Sequence, residues 1–206
     1  MLSSDNLTIM GWLLLAGVAS FVFTGLLRRY ALKKGLLDIP NARSSHSTPT
    51  TRGGGVAIVL VVLMGSQLFW CWDLLPSEAL WMVLGAGGLV ALVGWLDDHG
   101  HVAARWRLLV HFVAATWALY WTGGAPPVVL FGATLDLGWQ GHVLAVVYLV
   151  WLLNLCNFMD GIDGIASIET ITVCLGGIIL NWLVEPTGDS WIVPVLLLVV
   201  VAGFLP

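Results

Sequence analysis

Seven apolar runs, at residues 7–27, 55–72, 79–96, 107–122, 142–157, 165–183 and 191–205, constrain this chain more than any other feature. A hydrocarbon layer about 30 Å thick takes roughly 20 residues of helix to cross. Inside it every backbone N–H and C=O must find its partner within the protein, which a helix achieves by itself. Each run is therefore read as a helix that meets lipid. Composition agrees: 59% of the residues are hydrophobic and 10% are charged, against roughly 25% charged in ordinary soluble domains. The first run has no basic segment before it and is followed by Arg28 and Arg29, so it reads as a retained helix and not as a cleaved leader. The expected fold is all-α: a polytopic membrane helical bundle of about seven transmembrane helices, residues 1–206 forming a single integral membrane domain. Most of the 12 tryptophans stand near predicted helix ends, where indoles anchor helices at the lipid–water boundary. Cys71, Cys156 and Cys174 fall singly, with no CxxC pair, and read as packing residues.

Charge gives the orientation. All eight Lys and Arg residues lie in two segments, Arg28 to Arg52 after the first helix and Arg105 with Arg107 after the third. Seven crossings put both segments on one side, and the excess of positive charge makes that side cytoplasmic, with the amino terminus outside. Loops 73–78, 123–141 and 184–190 carry acids and no Lys or Arg, as expected of the outer face. The stretch PPVVLFGATLDLGW (126–139) sets β-formers around a turn-like centre and predicts a short outer β-hairpin.

This topology brings three polar segments to the cytoplasmic surface: the loop 28–54, GWLDDHGH (94–101) and NFMDGIDG (157–164). Asp97 and Asp98 end an apolar helix; Asp160 and Asp163 share a face if helical. Carboxylates gathered at one rim repel one another unless a cation neutralises them, and oxygen ligands suit Mg²⁺, which binds through one or two carboxylates plus substrate phosphates. Asn154 and Asn157 add amides able to recognise a base or a sugar. In DIPNARSSHSTPTTRGGG (38–55), Arg43, Arg52, His46 and three glycines suit phosphate oxygens, while a juxtamembrane basic loop that meets anionic headgroups explains the same residues. His99 and His101 are a weak signal for a transition metal; His111 and His142 read as interfacial or satisfied within the bundle. No charge lies near the middle of a predicted span except Glu169, about a turn inside the sixth helix, which speaks against an ion pathway. A transporter or a non-catalytic membrane protein is the alternative reading. No nucleic-acid partner is expected.

The segments D-x-P-N-x-R-S-S-H (38–46), R-G-G-G (52–55), L-D-D (96–98) and N-x-x-N-F-M-D-G-I-D-G-I-A (154–166) resemble the polyprenyl-phosphate N-acetylhexosamine-1-phosphate transferases. The first loop looks most like the branch that initiates O-antigen and other surface polysaccharides. The resemblance implies transfer of a sugar-1-phosphate from a UDP-N-acetylhexosamine to undecaprenyl phosphate, with release of UMP, at the cytoplasmic face of the bacterial inner membrane. It implies Mg²⁺, with Mn²⁺ as a substitute, and a partner set of nucleotide sugar, lipid phosphate and membrane lipid; a homodimer is compatible with it. By position, Asp97 and Asp98 match the family's Asp-Asp pair, assigned to catalysis, with Asp98 and Asp160 as metal ligands. His46, Arg43, Arg52, Asn154, Asn157 and Asp163 match its substrate-binding segments. Family members continue beyond the point matching GFLP (203–206), so this chain reads as the amino-terminal part of a longer transferase, with little activity expected of 206 residues alone.

Overall fold

The computed structural model describes residues 4–35, 37–38, 50–51, 53–100, 102–159, 164–184 and 190–205. Among these, helical rods occupy all seven apolar runs: α1 (Ser4–Lys34), α2 (Gly55–Cys71), α3 (Ser77–Met82) continued through a π-helical turn (Val83–Gly87) into α4 (Gly88–His99), α5 (Ala104–Trp121), α6 (Gly138–Met159), α7 (Ile165–Val184) and α8 (Ile192–Phe204). Four stretches, Thr8–Lys34, Ser77–His99, Gly138–Met159 and Ile165–Val184, are long and apolar enough to cross a membrane. Their outward faces carry side chains such as Leu14, Val18, Phe21 and Leu180, each more than half exposed. That surface suits lipid and not water. The chain is a membrane protein.

One difference from the sequence reading lies at the end of α1. Arg28, Arg29, Lys33 and Lys34 were expected in a loop, yet the helix runs on through all four. Arg, Lys, Leu and Ala are all good helix formers, and the long basic stems can lie along apolar surface while their charges reach water.

The residues cluster into two compact units, Met1–Leu75 with Met159–Pro206, and Pro76–Phe158. In the first, α8 packs against α1, α2 and α7. Ile192, Leu196 and Val200, spaced four apart, form its buried stripe. Between α1 and α8 small residues let the backbones touch: a Cβ at Gly203 would run into the Gly17 carbonyl, and one at Gly17 would lie 2.9 Å from Val199 Cγ1. Beside this contact the fully buried Ser20 hydroxyl donates to the Val200 carbonyl at 2.7 Å. In lipid, where apolar burial hardly favours one helix contact over another, close packing of small residues and such cross-helix bonds supply the association energy. Gly203→Ala should therefore lower the stability of detergent-solubilised protein by about 1–3 kcal/mol through overpacking. Gly11→Ala, where a Cβ meets nothing within 4 Å, should leave the melting temperature unchanged or slightly raised, which thermal unfolding followed by circular dichroism would read.

The second unit holds α3 to α6. The Trp117 indole of α5 fills the space a Cβ at Gly85 would need, and its Nε1 donates to the Trp81 carbonyl at 2.7 Å, in the turn just before the π-helical segment. Trp81 and Trp121 stack at 6.4 Å, extending this lock between the two rods. His142 of α6 is satisfied as expected, its Nδ1 accepting from the Ala125 N–H at 3.0 Å. The predicted hairpin is present: β3 (Val128–Leu130) pairs antiparallel with β4 (Ala133–Leu135). Of the cysteines, Cys174 is buried whereas Cys71 and Cys156 are exposed, so the packing reading holds for Cys174.

Candidate functional site

The acidic end of α4 is held by its neighbour in the chain. An acid in the last turn of a helix faces the negative end of the helix dipole, and a base at the start of the next faces the positive end. Asp97 and Arg107 are both placed this unfavourable way, and they neutralise each other: Arg107 Nη1 donates to Asp97 Oδ2 at 2.5 Å, with the side chains 31% and 26% exposed respectively. The other carboxylate oxygen, Oδ1, accepts from the Val102 N–H at 3.0 Å. Asp97 thus closes the turn between α4 and α5 and fixes its direction. Asp98, one residue on, is exposed.

One helical turn beyond Arg107 on α5 stands His111, 8% exposed. Its Nδ1 lies 3.3 Å from Asn154 Nδ2 of α6, and the same amide nitrogen donates to the Val150 carbonyl at 2.7 Å. With the imidazole protonated at Nε2, Nδ1 is the acceptor of that bond. Asp97, Arg107, His111 and Asn154 therefore form a polar line within one unit, running from the Asp-Asp end of α4 to the last turns of α6. Asn157, one turn further along α6, is exposed. Asn154→Leu keeps the branched shape and removes the cross-helix bond, so a loss of about 0.6–1.7 kcal/mol is expected, the range for such bonds in membrane bundles. Thermal melting against Asn157→Leu, expected to be near neutral, would measure it.

Arg43, His46, Arg52, Asp160 and Asp163 lie outside the described residues, as does His101. The ends of the segment carrying Arg43 and His46 are joined by a short antiparallel ladder, β1 (Leu37–Asp38) with β2 (Thr50–Thr51), in which Leu37 faces Thr51 and Asp38 faces Thr50. His99, expected in a flexible loop, lies in the last turn of α4. Its Nδ1–H donates to the Trp95 carbonyl at 2.9 Å and its ring stands 4.5 Å from the Trp95 ring. Among the described residues no three His, Cys, Asp or Glu side chains gather closely enough to cage a metal. The oxygen donors at the end of α4 fit Mg²⁺ held through one or two carboxylates together with substrate phosphates, and do not fit a nitrogen- and sulfur-rich zinc site. His111 is satisfied within the bundle, as the sequence reading expected, but that reading did not pair Arg107 with Asp97 or His111 with Asn154. The available signal was their spacing: a base and a histidine four apart share one face of a helix that starts just after an acidic pair.

The model of the family described as "Glycosyl transferase family 4" matches residues 80–206, which include both the Asp97–Asp98 turn and the Asn154–Ala166 segment. The chain belongs to glycosyl transferase family 4. Among family relatives, it is 31% identical over 108 residues to a decaprenyl-phosphate N-acetylglucosaminephosphotransferase of Mycolicibacterium smegmatis. That similarity takes in 50% of this chain and 27% of the relative, so the chain spans about a quarter of the curated protein it matches.

Proposed function

We propose that this sequence belongs to an enzyme that moves a sugar-1-phosphate from a UDP-N-acetylhexosamine to undecaprenyl phosphate, releasing UMP and starting a lipid-linked surface or cell-wall glycan. The observation that carries the reading is the clamp on Asp97 by Arg107 and the Val102 N–H, which holds the exposed Asp98 at a fixed helix end. The family match and the named activity of the mycobacterial relative support it.

In the proposed reaction an oxygen of the lipid phosphate attacks the β-phosphorus of the donor. The bond from that phosphorus to the oxygen bridging the two phosphates breaks, and UMP leaves with the bond's electron pair. A phosphate monoester with a second pKa near 6 is already mostly ionised at neutral pH, so no protein base is required. The task is to bring two anions together and hold them in line. A divalent cation, when bound, would screen the donor pyrophosphate and the charge growing on the departing UMP. Asp98 and Asp160 are the carboxylates we assign to it. Asn157 and Asp163 are assigned to the nucleotide sugar, Arg43, Arg52 and His46 to phosphate oxygens, and Asp97 to positioning. Asn154 is assigned to the same positioning line, since its amide N–H groups are directed to Val150 and His111.

Membranes containing the complete protein, supplied with UDP-N-acetylglucosamine and undecaprenyl phosphate, should release UMP only with Mg²⁺ or Mn²⁺ present and only when the lipid is added. Uptake of the nucleotide sugar into proteoliposomes without UMP release would overturn the reading in favour of a transporter.

A further inference from the structure

The hairpin between α5 and α6 has no part in the proposed chemistry, and its construction is unusual. Strands Val128–Leu130 and Ala133–Leu135 are three residues each and every residue in them is exposed, on both faces of the ribbon. The turn pairs Leu130 with Ala133 across two residues, Phe131 at φ 50° and Gly132 at φ 84°. Two positive φ values in a two-residue loop make a type I′ turn, whose first position favours Asn, Asp or Gly. Here a phenylalanine occupies it, in the left-handed region that costs a side chain with a Cβ, and its exposure is 108%. Strain retained at a fully exposed apolar tip asks for a function.

Three observations choose the partner. The hairpin cannot be far from the bilayer: β4 ends three residues before Gly138, where a membrane-crossing helix begins, and three extended residues reach at most about 10 Å. Trp139, at the start of that helix, is 73% exposed, as an interfacial anchor would be. Between Trp121 and Gly138 the only charged residue is Asp136, and its Oδ1 accepts from the Gly138 N–H at 2.8 Å, capping the helix. The ribbon thus offers apolar side chains and no charge. Its unpaired strand edges bar it from the hydrocarbon interior, where every backbone group needs a partner; the headgroup boundary, which holds both water and acyl chain, accepts both features.

We infer that the Val128–Leu135 hairpin is a membrane-interface anchor, with Phe131 inserted at the headgroup–acyl boundary of the leaflet where α6 begins. It ties the α5–α6 connection to the lipid surface by apolar contact, so its binding needs neither anionic lipid nor low salt.

The test uses the full chain with Cys71, Cys156 and Cys174 replaced by Ser and the exposed Val129→Cys carrying a nitrobenzoxadiazole dye, reconstituted in phosphatidylcholine vesicles. The expected result is blue-shifted emission, quenched by lipids with a nitroxide just below the headgroup and little affected by aqueous iodide, unchanged at high salt. Adding Phe131→Asn, which suits the turn better and so keeps the hairpin folded, should abolish both the blue shift and the lipid quenching. Iodide-accessible emission at the water wavelength would overturn the inference, as would a dye shielded from both quenchers, which would mean that protein covers the ribbon. Lipid quenching that survives Phe131→Asn would equally overturn the role given to Phe131.

Discussion

Asp98→Asn in the complete protein should abolish Mg²⁺-dependent UMP release, a loss of at least about a hundredfold, while the protein still folds and reaches the membrane. The substitution keeps the shape of the side chain and removes one negative charge. Asp98 is exposed at the end of α4, and asparagine keeps one carbonyl oxygen that can still accept a hydrogen bond, so the protein is expected to fold. Its effect on turnover is expected to be large because an electrostatic partner of the reacting phosphates acts on charge that develops in the transition state, where single groups are worth about 10²–10³ in rate. Asp160→Asn should likewise abolish UMP release. Asp97→Asn should lose activity and also stability, because Asp97 is bonded from two sides. Wild-type turnover in all three variants would remove the site assignment.

The second large effect concerns Arg107. Arg107→Leu leaves the half-buried Asp97 carboxylate with the Val102 N–H and without its cation, and it restores the unfavourable meeting of an acid with the negative end of α4. Hydrogen bonds to charged groups are worth about 1.5–3 kcal/mol. Partial exposure of both side chains brings the pair toward the lower end of that range. A loss of about 1–2 kcal/mol in stability is therefore expected, with a 10- to 100-fold fall in turnover, about 1.4–2.8 kcal/mol of transition-state stabilisation, as the Asp98 end of the helix loses its fixed direction. Arg107→Lys should recover part of the stability, since a lysine keeps the charge but not the planar fork. The exchange Asp97→Arg with Arg107→Asp should restore melting toward wild type, because both charges then sit at favourable helix ends, and should not restore turnover. Recovery of full turnover in the exchanged protein would show that the ion pair only stabilises the turn.

The helices were legible in the sequence because lipid imposes a simple requirement: a run of apolar residues near 20 long has no better solution than a helix. The Val128–Leu135 hairpin was legible for a different reason, the alternation of β-formers around a glycine-containing centre. The continuation of α1 through Arg28 to Lys34 was not, since charge was taken as the mark of a loop although the same residues are good helix formers. At the proposed site, Asp97 and Asp98 could be found as acids closing an apolar run, but not that Asp97 is bonded to Arg107 and the Val102 N–H while Asp98 is exposed. That depends on Arg107 standing ten residues on, across a turn whose geometry no periodicity encodes. His111 was read as satisfied within the bundle, and so it is, but its partner Asn154 stands on another helix, 43 residues on, and no local pattern names it. The small-residue contact of Gly17 with Gly203 joins residues far apart in the chain and was invisible for the same cause.

The most direct measurement follows the β-phosphate of the donor. UDP-N-acetylglucosamine labelled on that phosphate, incubated with undecaprenyl phosphate, Mg²⁺ and membranes containing the complete protein, should deliver the label to the organic phase together with the sugar, leaving unlabelled UMP in the water. Label remaining in the aqueous phase as UDP while the sugar moves to the lipid would mean that the glycosidic bond is broken instead, and would contradict transfer of a sugar-phosphate.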